Sequence, residues 1–374
     1  MGLPEITVEF KHLAETAARR SARGFLAVIL RDATAGVTWT VKPYRWLSEV
    51  KESDFSAANY KILARAFDAQ PARVTVVRVG ASGTMAQAAE LLRDVTFDWI
   101  CAPYAALQAD LVSYVKEINT ARRVRPAKAL VYQQAADDIH IVSAWNPTVT
   151  LAGETSTTPM VEYLPRLAGL LAACPMTGSV TNAALEDLAA AADYMEPETE
   201  TGLDGETSVV SATYVDPGDG VDRGMLMLYR DDGVIRIARG VNTLQTVSGN
   251  LTEDMKKIAV VEAMDLIRMD IIRTFKVFYL AKVRNSADNQ ALFVSDVLLY
   301  LRQLEAEGIL EEESSAVAVD TDAMRRAWDA EGQSVADLTD AQVRAKTYRS
   351  YVFVAAETRI LDAMEDLRMT VSLG

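Results

Sequence analysis

Histidine is nearly missing from this chain: 374 residues carry only two, His12 and His140. Cysteine is as scarce, with Cys101 and Cys174 alone, each in an apolar run (WICAP and AACPM). So few of either type excludes a disulfide framework and a Cys/His zinc cluster, and predicts two buried structural thiols in a reducing compartment. An excess of basic charge is lacking too. Against 52 Asp and Glu stand 38 Lys and Arg, a net charge of −14, which disfavours nucleic acid and anionic membrane as partners. No run is apolar for long enough to cross a bilayer. The opening MGLPEITVEFKHL has no basic region followed by an apolar one, so no secretory signal is expected, and Ile6 stands where myristoylation needs Ser or Thr. Together these absences predict a protein made and folded in a cytoplasm.

What is present is a soluble globular profile, 50% hydrophobic and 24% charged, in a chain long enough for two cores. The first half alternates strands and helices. Apolar, β-branched runs at Phe25–Leu30, Val74–Val79, Phe97–Cys101, Ala129–Tyr132 and Ile139–Ser143 predict strands. Between them, Ala57–Phe67, Met85–Leu92 and Leu107–Ile118 have helical spacing, as do Pro159–Ala173 and Asn182–Ala192 further on. Short connections between alternating types predict a largely parallel, covered α/β sheet. The acidic MEPETETGLDGETS is expected to be an exposed connection, followed by a hairpin of Met225–Tyr229 and Val234–Ala238.

Beyond the hairpin the texture changes. Asn250 and Glu253 are placed to cap a long helix whose apolar stripe is Val260, Met264, Ile267, Ile271, Phe275 and Phe278. A second helix runs from Asn289 to about Glu307, then come a short helix at Thr321–Glu331 and a strand at Tyr351–Ala355. This predicts a separate, smaller α+β domain. No internal repeat or low-complexity tract is visible.

A search for chemistry returns little. A Ser/His/Asp triad needs a histidine oriented by a carboxylate and facing a serine. His140, read as part of the Ile139–Val142 strand, has Asp138 on the same strand face but no serine motif nearby. Gly80-Ala81-Ser82-Gly83-Thr84 puts Thr where a nucleophile elbow needs its second glycine, and lacks both the third glycine of a dinucleotide fingerprint and the Lys of a P-loop. Glycine needed to turn a chain between strand and helix accounts for it better. Asp216, Asp219 and Asp222 are spaced by three, whereas a calcium loop alternates its ligands, so a turn-rich surface loop is expected. Neither a cofactor nor a metal site follows. The segment IRIARGVNTLQTVSG (235–249) pairs arginine with glycine at a strand end, the build of many substrate loops. With no nucleophile, base or phosphate motif to support it, it reads as architecture joining two domains. Gly240 is expected to supply an unusual backbone angle, and Asn242 and Thr243 to bond the turn's own backbone.

Both ends of the chain carry strand alternation. Ile6, Val8 and Phe10 alternate with Glu5, Thr7, Glu9 and Lys11, and Leu367, Met369 and Val371 alternate with Arg368, Thr370 and Ser372. Each could close its own molecule's sheet, or could leave its body and augment a neighbour's, which would make a chain-linked polymer.

Taken in order, GLPEITVEFK with RSARGFLAVILRD, GVIRIARGVNTLQT, MKKIAVVEAMDLIRMDIIRTF and LDAMEDLRMTV resemble the contractile phage tail sheath family, in its short prophage and phage-tail-like bacteriocin form. The resemblance runs end to end and is most specific at the loop Arg239, Gly240, Val241, Asn242, Thr243 and Leu244 and at the termini. It implies a structural protein rather than an enzyme, with a central parallel-sheet α/β domain related to subtilisin but non-catalytic. It further implies a division into an N-terminal arm (1–22), an α/β body (23–246), a tube-proximal α+β domain (247–360) and a C-terminal arm (361–374). The arms would add strands to different neighbours through Ile6, Val8 and Phe10 and through Leu367, Met369 and Val371. The partners implied are copies of the chain in stacked hexameric rings, a tail tube protein, a baseplate and a tail terminator. Lys256 and Lys257 are candidates for tube contact. The particle would be a virion tail or a phage-tail-like device, a bacteriocin for example, assembled in the host bacterial cytoplasm. The competing readings are a divergent α/β hydrolase using Ser82 and a monomeric binding module.

Overall fold

The computed structural model of the chain describes residues 22–121, 125–201 and 207–372. They form two compact units, Ala22–Glu262 together with Ala363–Gly374, and Ala263–Asp362. The expected N-terminal strand residues Ile6, Val8 and Phe10 lie outside the described residues.

The first unit is built on β1 (Phe25–Arg31), β2 (Val41–Tyr44), α1 (Ala57–Arg65), β3 (Arg73–Val79), α2 (Met85–Leu92), β4 (Trp99–Cys101), α3 (Gln108–Thr120), β5 (Lys128–Tyr132) and β6 (Ile141–Ala144). The six strands form one sheet in the order β2-β3-β1-β4-β5-β6, parallel except for β2, which runs antiparallel to β3. This is the mixed α/β architecture its alternating runs predict. Central strands covered on both faces must be apolar at every position rather than every second one. β1 obeys: Leu26, Val28 and Leu30 enter one core, and Ala27 and Ile29 enter the other with Leu92, Leu111 and Val115. Each leucine, valine or isoleucine so placed contributes roughly 1.5–3 kcal/mol on burial.

The unit continues through β7 (Thr148–Leu151), β8 (Thr157–Pro159), α4 (Met160–Ala173), β9 (Leu188–Ala191), β10 (Met195–Thr201), β11 (Thr207–Tyr214), α5 (Pro217–Asp222), β12 (Leu228–Asp231) and β13 (Val234–Ile237), and on to the first turns of α6 (Ile258–Thr274). Helix α4 lies so close to α1 that a β-carbon on Gly169 would come within 2.3 Å of the Ala66 carbonyl oxygen.

Several expectations are corrected. Residues 182–192 are not a helix. The Asn182 and Leu185 amides donate to the Ile237 and Ile235 carbonyls, and β9 joins β7, so sheet edges claimed a segment whose alanines favoured helix. The acidic stretch after Met195 is not a bare connection but the first strand of an exposed antiparallel ribbon, β10–β11. Its alternating Thr and Glu leave both faces wet, so no apolar pattern announces it. His140 precedes β6 in a turn rather than lying within a strand. Asn250 does not cap α6, which starts eight residues later, after a short 3-10 turn at Glu253–Lys256.

The second unit comprises the rest of α6, a π turn at Phe275–Tyr279, then α7 (Ala287–Ala306), β14 (Ala316–Val319), α8 (Thr321–Ala330), α9 (Asp340–Ala345) and β15 (Val354–Glu357). The π turn shifts the helix register, so Tyr279 turns inward against Phe293 while Phe278, expected on the apolar stripe, is exposed. Tyr300 on α7 donates to the buried Asp270 carboxylate at 2.9 Å. β14 and β15 pair antiparallel as a sheet of two strands among the described residues, and the strand expected at Tyr351–Ala355 starts three residues later.

Candidate functional site

In α/β sheets, ligands settle beyond the carboxyl ends of the strands, where neighbouring connections diverge. Here that point lies between β1 and β4, and the chain's own side chains fill it. The Tyr104 hydroxyl accepts from the Arg31 amide at 2.9 Å and donates to Asn59 at 3.1 Å. Beside it, Asp32 is wholly buried and paired with Arg78 at 2.6 Å. Burial alone would raise the Asp32 carboxyl, but bonds from the Asn59 side chain and the Ser56 and Thr34 amides outweigh it and hold the pKa at about 2. A carboxylate so saturated has no lone pair left for a substrate.

The triad residues are no better placed. Ser82 follows the carboxyl end of β3, and His140 precedes the amino end of β6. Both strands run the same way in the sheet, so the two residues sit at its opposite ends. Gly83 is fixed by packing, since a β-carbon there would meet Val79 Cβ at 2.4 Å, and Thr84 caps α2 with a reciprocal bond from Gln87. The expected turn at Asp216–Asp222 is a short helix, α5, with Asp216 as its cap. Among the described residues no three His, Cys, Asp or Glu are grouped to hold a metal. Cys101 is fully buried, whereas Cys174, expected buried, is only half so.

The chain's polar organisation gathers instead around the loop that follows β13. Gly240 does not adopt the left-handed angle expected of it. Its constraint is close approach: its amide donates to Thr181 Oγ1 at 2.9 Å, and a β-carbon would lie 2.9 Å from Val180 Cγ2. Val241 bridges Lys257 as an isolated antiparallel pair. Asn242, fully buried, bonds its own turn by accepting from the Leu244 amide at 3.0 Å, and donates to the Met255 carbonyl at 2.6 Å. Thr243 reaches further than its own turn, donating to the Asp138 carbonyl at 3.1 Å. Leu244 is buried. The loop therefore ties β6, β13 and the start of α6 into one piece.

Arg239 faces the chain's tail. Its Nη2 lies 2.6 Å from Asp366 Oδ1, and its Nε lies 3.7 Å from Glu365 Oε2. Glu365 is nearly buried; its Oε1 accepts from Ser179 at 2.8 Å and Thr181 at 2.6 Å, while Lys257 stands 3.6 Å from Oε2. Past this point Leu367, Met369 and Val371 are 86%, 75% and 64% exposed and join no ladder, an unusual degree of wetting for three alternate apolar residues. Lys256 pairs with Glu253 at 2.8 Å.

A second ionic cluster holds the first described residues. Glu262 on α6 pairs with Arg23 at 2.9 Å and accepts from Trp99 Nε1 at 2.8 Å, with the buried Lys128 at 3.2 Å. Arg23 also donates to the Cys174 carbonyl, and Arg125, paired with Asp98 at 2.5 Å, donates to the Ala22 carbonyl. Neither Glu365 nor Glu262 stands out in the sequence, because each is one acid among 52 and its partners are distant along the chain.

The chain is similar to known tail sheath proteins. Residues 251–374 match the phage tail sheath C-terminal domain family. The chain is 28% identical over 384 residues, spanning 100% of its own length and 99% of the relative, to the tail sheath protein of Clostridium phage phiCD119. The sheath tail protein of Desulfitobacterium hafniense shares its fold with a TM-score of 0.65 at 14% identity, covering 84% of this chain and 94% of that one. The helical sheath of the anti-feeding prophage in its contracted state does so with a TM-score of 0.63 at 11% identity, over 100% of both chains.

Proposed function

From a chain that belongs to the contractile phage tail sheath family, we propose a structural subunit that polymerises as stacked hexameric rings around a tail tube and contracts to drive that tube through a target envelope. The observation that carries the reading is the tail: a root pinned at Glu365 and Asp366, then three alternate apolar side chains left in water. A strand with its apolar face wet gains by adding to a neighbour's sheet. The two-stranded ladder β14–β15 is an acceptor of suitable build, since so small a sheet is marginal unless extended or covered. Ile6, Val8 and Phe10 would make the second such arm.

In this reading no nucleotide or metal enters. Contraction exchanges one set of intersubunit contacts for another, and its work is the free-energy difference between two lattices. The bodies move as rigid units while the arms keep the mesh connected. Tube, baseplate and tail terminator are the further partners, in a virion tail or a phage-tail-like particle assembled in the host cytoplasm. Both lysines proposed for tube contact already face a carboxylate, Lys256 that of Glu253 and Lys257 that of Glu365. The hydrolase alternative must bring together Ser82 and His140 from opposite ends of one sheet.

Negative-stain microscopy of the purified protein tests the reading, with long tubes as the expected result. Deleting Gly2–Lys11 or Asp366–Gly374 should abolish them while circular dichroism stays unchanged. A single small species from the intact chain would overturn it, and tubes from the deleted chains would overturn the arm exchange.

A further inference from the structure

We propose that Ser179, Thr181, Arg239 and Lys257 form a carboxylate-binding socket whose ligand is Glu365 of the chain's own tail, and that this socket fixes where the C-terminal arm leaves the body. The socket has the parts such recognition needs. Two hydroxyls donate to one carboxylate oxygen, Ser179 at 2.8 Å and Thr181 at 2.6 Å. Two cations flank the other oxygen, Arg239 at 3.7 Å and Lys257 at 3.6 Å. The glutamate side chain is only 6% exposed, although the neighbouring Met364 and Leu367 are almost fully so. A single buried acid between two exposed apolar residues is a plug, not part of a packed strand. Burying it is tolerable only because charge and hydrogen bonds await it.

The receptor's hydroxyls are oriented by bonds that do not involve the tail. Ser179 Oγ accepts from the Thr181 amide at 3.1 Å and Thr181 Oγ1 accepts from the Gly240 amide at 2.9 Å, so backbone donors aim both hydroxyls and each keeps its single proton for the carboxylate. Asp366 adds a second hold by pairing with Arg239.

The same short stretch of α6 also holds the other arm's root. Lys257 precedes the helix and meets Glu365, while Glu262 in its second turn meets Arg23. The turn after α4 repeats the arrangement, its Cys174 carbonyl taking Arg23 and its Ser179 hydroxyl taking Glu365. The exits of both arms are therefore braced by the same two segments of one body. In the sheath reading, on which this consequence rests, the brace carries rotation of the body to both arms at once.

The socket is tested on the dispersed full-length subunit by the distance between two nitroxides. They are placed at Glu90→Cys on α2 and at Leu367→Cys, in a Cys174→Ser background that leaves only the buried Cys101. With Glu365 present, a narrow distribution is expected. In an Asp366→Ala background, which removes the independent pair with Arg239, Glu365→Ala should broaden it by about 11 Å, the spread of the four residues after Ala363. Glu365→Gln, which keeps an acceptor for the hydroxyls but loses the charge, should fall between. Equal widths with and without Glu365 in the Asp366→Ala background would overturn the socket, provided circular dichroism shows both proteins folded. Microscopy is read separately. Glu365→Ala should give fewer and less regular tubes, whereas a parent that forms none fails the sheath reading and leaves the distance result standing.

Discussion

Gly240 and Val180 are held so close that a β-carbon on the glycine would lie 2.9 Å from the valine's Cγ2. The contact closes the loop after β13 onto the turn that presents Ser179 and Thr181. Val180 is buried and branched, so it has little room to yield. Gly240→Ala should cost about 1–3 kcal/mol through overpacking, and Gly240→Val more. Adding Val180→Ala to Gly240→Ala should recover part of the loss. Urea unfolding of the three variants measures this, and an unchanged midpoint for Gly240→Ala would refute the packing account.

Ser82 and Gly83 are adjacent and should behave as opposites. Ser82 is exposed, so Ser82→Ala should change stability by no more than about 0.5 kcal/mol. Gly83 has Val79 Cβ at 2.4 Å from where its own β-carbon would be, so Gly83→Ala must displace the end of β3 and destabilise by about 1–3 kcal/mol. The pair separates architecture from catalysis. Loss of an esterase activity in the well-folded Ser82→Ala protein would restore the hydrolase reading.

The sheet was legible because burial on both faces demands largely apolar runs, which β1 and β5 have at 26–30 and 129–131, while β3 keeps its pattern despite Thr75 and Arg78. α2 was legible from its helical spacing, and the structure shows that the Thr84–Gln87 capping pair fixes its start. What escaped was decided by distant partners. Residues 182–192 look helical until Ile235 and Ile237 offer them backbone acceptors. The loop at 239–244 carried its signal plainly, but for a different reason: Gly240 is there for space rather than for angle. Glu365 could not be found at all, since its socket lies more than a hundred residues away in the chain.

The two thiols should differ in reactivity. Cys101 lies in the sheet core without exposure, and burial pushes its thiol well above the usual range. Cys174 is half-buried, and burial raises it too, with Arg23 opposing. Because a thiolate is the reacting form, an alkylating reagent at neutral pH should label Cys174 slowly and Cys101 only after denaturation. Peptide mass mapping reads both sites, and rapid native labelling of Cys101 would mean that the β1–β4 core opens.

Asp32 gives the fold an acid-dependent term whose sign can be worked out. Its folded pKa is about 2, below the roughly 3.9 of a free aspartate, and a depressed acid contributes stability wherever it is ionised. The contribution, about 2 kcal/mol, is fully present above the unfolded pKa and is lost as pH falls through about 2. Asp32→Asn should remove that dependence. It should also lower stability at pH 7 by about 3–5 kcal/mol, because Arg78, 6% exposed, would be left buried without its anion. Arg78→Met leaves the opposite charge uncompensated and should cost a similar amount. Denaturant titrations at about pH 7 and pH 3 on the parent and both variants decide the matter. If Asp32→Asn keeps the parent's slope with pH, the acid sensitivity arises at other carboxylates and the Asp32–Arg78 pair is a minor contributor.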